Sequence, residues 1–233
     1  MLKKFSILAS FVATFGVATS FAQTAQGTLY LGGGLGFTTS SNKETRSTGS
    51  TTTSIDGPKS TSFSIVPGAG YFIADKLAVG IDISFLNESE KEPYEGPGNQ
   101  PGDYDKVSGN LISFTPYARK FFMLSDNFGF TGTFGVGVGF GSSKTESKRG
   151  STTVTNDGPK VTALEVGITP GLVFFPTNKV GLEANFGFVG FSSRTQKTTT
   201  GGGELKSTDT SIGFGANSIQ PTFSLGFRYY LAK

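Results

Sequence analysis

Cysteine and histidine are both absent from this chain. Without cysteine there are no disulfides and no thiolate metal sites. The lack of histidine removes Ser-His and Cys-His nucleophile pairs, imidazole metal sites and the usual proton shuttle near neutral pH. An enzymatic role is therefore not expected, and no cofactor or metal is called for. Charge of one sign is also in short supply: 20 basic residues face 17 acidic ones. A nucleic-acid partner would require a basic excess, and almost none is present. Beyond the first residues no apolar run approaches the roughly 20 residues of a membrane-spanning helix.

What is present starts with Lys3 and Lys4, an apolar run over 5–17, and Ser20-Phe21-Ala22. This is the pattern of a secretory signal peptide over 1–22, with cleavage expected between Ala22 and Gln23. Removing the two lysines leaves 18 basic residues against 17 acidic ones in 23–233. Glycine (34) and phenylalanine (23) are both far above ordinary usage, while mean hydropathy is −0.09. Barrels that span membranes have this average, because lipid-facing apolar residues alternate with polar inward ones.

Pro67, Pro116, Pro170 and Pro221 recur about every fifty residues, each shortly before an aromatic pair: Tyr71-Phe72, Phe121-Phe122, Phe174-Phe175 and Tyr229-Tyr230. Such a period marks one supersecondary unit copied several times, here a strand, a tight turn and a returning strand. Strands are predicted over 28–38, 61–73, 77–87, 110–122, 127–141, 162–175, 180–191 and 217–231. The connections at 74–76, 124–126 and 176–179 are short. Those around 40–60, 88–109, 142–161 and 192–216 are long and rich in Ser, Thr, Gly and charge, and read as loops. The fold predicted is all-β: an eight-stranded antiparallel up-and-down transmembrane barrel with short periplasmic turns and long extracellular loops.

The alternating faces separate this from a soluble sandwich. Leu77, Val79, Ile81, Ile83 and Phe85 form one apolar side; Phe128, Phe130, Phe134, Val136, Val138 and Phe140 form another, opposite Thr131, Thr133, Gly135, Gly137 and Gly139. The bulky face looks out to lipid and the interior is narrow. On that register the four prolines face outward, and Asp82, Arg119, Glu165, Glu183 and Arg228 face inward. Slipping the strands by one residue would expose the five charges to lipid, at a cost on the order of 10 kcal/mol. Lys120 falls on the outward face beside a short turn, from which it snorkels to the interface. A Glu183–Arg228 contact is expected, with Arg119 joining across the lumen, either as an ion-pair plug or as the charged constriction of a pore. Tyr71, Phe72, Phe121, Phe174 and Tyr229 at one end, and Phe37, Phe63, Phe85 and Phe140 at the other, read as interfacial girdles. The glycine runs lack the lysine and the strand-to-helix context of a phosphate loop.

Residues 43–59 match 144–160 at an offset of 101, including Asp-Gly-Pro-Lys at the end of each, as duplication of a four-stranded half would produce. Near the C-terminus, Ser224, Gly226, Tyr229 and Leu231 within Ser224-Leu225-Gly226-Phe227-Arg228-Tyr229-Tyr230-Leu231 resemble the insertion signal of outer-membrane proteins, followed by Ala232-Lys233 where many relatives stop on an aromatic. With the signal peptide and the hairpins, the chain resembles the outer-membrane β-barrel domain family, the small OmpA/OmpX-type barrels. That resemblance implies an eight-stranded barrel in the bacterial outer membrane, without cofactor, inserted by the barrel-insertion machinery. It implies roles from envelope structure and adhesion to minor pores. The expected function is structural or surface-interacting, with outer-membrane lipids as partners and an extracellular ligand reached through loops 40–60 and 142–161. The alternative is a narrow porin or a conduit for small solutes or hydrophobic molecules. A monomer suffices.

Overall fold

The computed structural model describes residues 21–48, 51–200, 203–214 and 223–231. Residues 1–20 of the expected signal peptide, Pro221 and the start of the last predicted strand lie outside these. Ten strands are delimited: β1 (Leu29–Thr48), β2 (Thr51–Ala74), β3 (Leu77–Pro93), β4 (Tyr104–Met123), β5 (Phe128–Arg149), β6 (Thr152–Thr177), β7 (Val180–Phe186), β8 (Val189–Thr200), β9 (Gly203–Phe214) and β10 (Phe223–Leu231). All pairings are antiparallel. β1 through β7 follow in order, and β10 pairs with both β7 and β1 to close a ring of eight. Closure leaves no free edge there, which is what a sheet in hydrocarbon requires.

β8 continues β7 beyond Gly187 and Phe188 and pairs with the upper part of β6, while β9 pairs with β8. The predicted strand 180–191 is thus broken at Phe188. The long connections predicted as loops at 40–60 and 142–161 are instead continuations of β1–β2 and β5–β6, laddered to their tips. The segment 192–216 holds most of the β8–β9 hairpin, and only 94–103 of the second connection is loop. Serine and threonine are abundant in these hairpins; threonine packs well on a pleated surface, and the ladder satisfies the backbone above the membrane as it does within.

The prolines have a local explanation. Pro67 pairs with Gly33 on β1, but the ladder toward β3 skips from Ile65↔Phe85 to Gly68↔Asp82. Pro116 pairs with Ile81, and the ladder toward β5 skips from Phe114↔Val138 to Tyr117↔Gly135. Pro170 pairs with Gly132, and on its other side the partner of β6 changes from β8 to β7. Each proline lacks an N–H and so interrupts the ladder toward the following strand only.

Candidate functional site in the barrel lumen

Successive residues of a strand point to opposite faces, so only one member of each aromatic pair can meet lipid. Tyr71 and Tyr229 are exposed on the outside, as are Phe37, Phe63, Phe85 and Phe140. Phe72 and Phe121, expected in the girdle, are instead buried in the lumen. With Tyr30, Phe175 and Tyr230 they form an aromatic layer, packed with Ala78, Tyr117 and Val173. Ring centroids lie 5.3 Å apart for Tyr30–Tyr230 and Phe72–Phe121, and 5.2 Å for Phe175–Tyr230. The rings fit because glycines face them from neighbouring strands. A Cβ on Gly70 would lie 2.2 Å from the Tyr30 ring, and one on Gly80 2.5 Å from the Tyr117 hydroxyl.

Below this layer, at the short-turn end, residues 23–28 run across the mouth. Gln23 and Thr24 are buried. The Gln23 Nε2 donates to Thr177 O and Asn178 Oδ1 at the β6–β7 turn, both at 3.4 Å. On the opposite side of the ring, Gln26 N donates to Asp75 Oδ1 at 2.9 Å, and Lys76 N donates to Thr24 O at 2.8 Å.

Above the aromatics lies an ionic layer. Arg119 Nη1 donates to both carboxylate oxygens of Glu183, at 2.9 and 3.1 Å, and its Nε donates to Thr133 Oγ1 at 2.9 Å. Arg228 Nε reaches the same Glu183 carboxylate at 3.0 Å, and its guanidinium reaches Asp82 Oδ1 at 3.4 Å. Two arginines thus meet two carboxylates contributed by β3, β4, β7 and β10. Glu165 faces the same cavity from β6. All five inward charges are at most 8% exposed. Groups this deep must be paired and hydrogen-bonded, since desolvating an isolated charge costs several kcal/mol. Tyr30 and Tyr117 join hydroxyls across the lumen at 2.9 Å just beneath.

The cavity over the ionic layer has a volume of about 50 Å³, room for a few waters. It is bounded in part by Phe188, turned inward where β7 gives way to β8. Leu86, Leu111, Val161 and Ala163 form a second apolar cluster above. At the hairpin end Arg194 on β8 meets Glu88 on β3, on the far side of the ring, at 3.6 Å. The sequence reading does not assign the tyrosines or Phe188 to the lumen; parity with Arg119 on β4 and with Arg228 on β10 is the signal that places Tyr117 and Tyr230 there, while β1 offers no such inward charge for Tyr30.

Outside the lumen, the loop between β3 and β4 is clamped to the tip of the β5–β6 hairpin. Arg149 donates to both oxygens of Asp105, at 2.8 and 2.9 Å, and lies 3.5 Å over the Tyr94 ring. Asp103 accepts from Gln100 N at 2.9 Å and from Gly150 N at 2.6 Å. These two amides hold its carboxyl below the usual carboxylate range. Tyr104 donates to Glu146 at 2.6 Å. In β10, Tyr229 and Leu231 of the expected insertion signal face outward and Ser224 and Gly226 inward. Ala22 and Gln23, the expected cleavage site, lie in the short helical turn Phe21–Thr24.

The model of one family, described as outer membrane protein beta-barrel domain, matches residues 7–217. Among solved structures the chain is similar to Ail, the attachment invasion locus protein of Yersinia pestis, at 14% identity over 88% of this chain and 99% of that one, TM-score 0.31. It is also similar to the outer membrane protein OprG from Pseudomonas aeruginosa, at 12% identity over 92% of this chain and 100% of that one, TM-score 0.49. Neisserial surface protein A is 15% identical over 88% of this chain and 97% of its own, TM-score 0.32. No curated protein matches the chain.

Proposed function

Because this chain belongs to the outer membrane protein beta-barrel domain family, and so is a barrel of the bacterial outer membrane, we propose that it works through its extracellular surface and not as a pore or an enzyme. The filled lumen carries this reading. From the periplasmic end, residues 23–28, the aromatic layer, the Arg119–Glu183–Arg228–Asp82 layer and the Leu86 cluster lie one above another across a ring of eight strands. A barrel of this size has an interior just wide enough for side chains. What remains for function is the outside: the β1–β2, β5–β6 and β8–β9 hairpins, and the β3–β4 loop locked to β5–β6. Between Asp56–Lys59 and residues 93–104 runs a groove flanked by Lys91, Tyr94, Tyr104, Asn99 and Gln100, a surface suited to an adhesion-type contact. The sequence at β10 serves insertion, and residues 1–22 serve export with cleavage before Gln23.

Single-channel recording of the purified barrel in a planar bilayer tests this. The expected trace is flat at 100 mV, and stable open steps would overturn the reading.

One observation favours a second reading, a conduit opening sideways to lipid. Among the described residues, β1 beyond Leu35 pairs only with β2, and β9 pairs only with β8. Uptake of a small apolar dye by proteoliposomes, with ionic conductance still absent, would select this reading over the surface one.

A further inference from the structure

Strand register places lysines beside lysines. Lys59 on β2 is the direct partner of Lys91 on β3, which is the direct partner of Lys106 on β4. The same arrangement recurs on the other half of the barrel: Lys160 on β6 pairs with Lys197 on β8, which pairs with Lys206 on β9. All six have the parity of the lipid-facing residues below them, so both rows lie on the outer surface of the wall. Directly opposed side chains sit about 5 Å apart, and like charges in that position destabilise a sheet. Two such rows, in equivalent strands of the two halves, are therefore a cost to folding that an anion would relieve.

The acids beside the rows relieve it only in part, one against three lysines in each. Lys197 meets Glu204 at 3.1 Å, with both side chains about half exposed. Glu146 is the direct partner of Lys106 and also accepts the Tyr104 hydroxyl. Lys91 lies 3.8 Å over the Tyr104 ring.

Height decides what the anion is. Lys59 and Lys160 each stand four residues beyond the last outward apolar residue of their strands, Phe63 and Leu164. Lys91, Lys106, Lys197 and Lys206 each stand six residues beyond Phe85, Ile112, Phe191 and Ile212. At about 3.3 Å per residue on strands tilted about 40°, that is roughly 10–15 Å above the hydrocarbon edge. A phospholipid headgroup layer is only about 5–7 Å deep. We propose that each lysine row binds the phosphates of one glycolipid in the outer leaflet, a lipid whose charges ride on a tall sugar headgroup, so that one barrel seats two such lipids on opposite sides. Thr61 and Thr162, beneath the first lysine of each row, offer hydroxyls to the same sugars. This goes beyond the surface reading above: Lys59 and Lys91 also border the groove beneath the β3–β4 loop, whereas the Lys160–Lys197–Lys206 row lies away from it and tests the lipid reading separately.

The test is to titrate the purified barrel in zwitterionic detergent with a lipopolysaccharide whose core sugars carry phosphates, and in parallel with lipid A, phosphatidylglycerol and inorganic phosphate, counting bound molecules by native mass spectrometry. Two molecules of the core-phosphorylated glycolipid per barrel are expected. Lys59→Gln, Lys91→Gln and Lys106→Gln together should remove one, and Lys160→Gln, Lys197→Gln and Lys206→Gln the other, each affinity falling at least tenfold, as expected for lysines worth about 1 kcal/mol apiece at a lipid surface. Replacing Lys144 and Lys148, which lie off the rows, should leave the count at two. Binding of the core-phosphorylated glycolipid that survives both triple variants, or that falls equally in the off-row variant, would overturn the proposal. Lipid A, phosphatidylglycerol or phosphate binding as tightly would overturn the assignment of a tall headgroup. If a triple variant does not fold, Lys91→Gln and Lys197→Gln at the row centres carry the same test with a roughly fivefold loss.

Discussion

Glu183 is the hinge of the lumen charges because it accepts from both arginines. Glu183→Gln would take from Arg119 its carboxylate partner and leave Arg228 with Asp82, the longer of its two contacts. Breaking a buried pair by removing one partner costs about 3–5 kcal/mol. Unfolding in urea, followed by the heat-dependent mobility shift on gels, should therefore show Glu183→Gln much less stable than Asp82→Asn. Equal losses would mean the two carboxylates are interchangeable. At the surface, Asp103 offers a pH dependence of known sign. Its carboxyl is held low in the folded state by the Gln100 and Gly150 amides, so its contribution is fully present above the unfolded value near 4 and disappears as pH falls through the folded one. The Gly150 amide resonance should stay fixed from pH 8 to 5 and move only below about pH 4. Movement between 5 and 7 would contradict the assignment.

Among the elements, β1 and β2 show how a narrow barrel accommodates large rings. Tyr30 lies over Gly70, in a place where any Cβ would collide with the ring. The glycine is there for space, not for backbone freedom. Gly70→Val overpacks the site, an error worth about 1–3 kcal/mol or more, and should lower the folded fraction on gels. Gly98→Val is the control: no atom lies within 4 Å of a Cβ built at Gly98, although its φ of +79° brings some local strain. Equal behaviour of the two variants would remove the tyrosine-over-glycine account. The three described prolines act at the same scale: Pro67 and Pro116 each interrupt the ladder for two residue pairs, and at Pro170 the break coincides with the interruption between β7 and β8.

For the whole molecule, closure across several independent layers means that no single substitution opens it. Bilayer recordings of Glu183→Gln should stay as flat as those of the parent protein, since the aromatic layer beneath is untouched; open steps from this variant alone would show that the ionic layer is the only barrier. Much of this architecture was legible in the residues. Period-two alternation, turn chemistry and the inward parity of five charges determined the strand faces, because in hydrocarbon a one-residue slip carries a penalty that no local preference can offset. The hairpins above the membrane look like loops in the sequence because polar strands rich in Ser and Thr lack that penalty and so leave no clear pattern. Phe72 and Phe121 look like interface residues because hydrophobicity alone does not distinguish lipid from a packed lumen; the facing of each strand does. The pairing of Glu183 with two arginines, the rings seated on glycines and the lysines aligned across strands all depend on register between strands distant in sequence. Register of that kind is set when the ring closes and every backbone group must find its partner at once, which is a property of the closed sheet and of no segment taken alone.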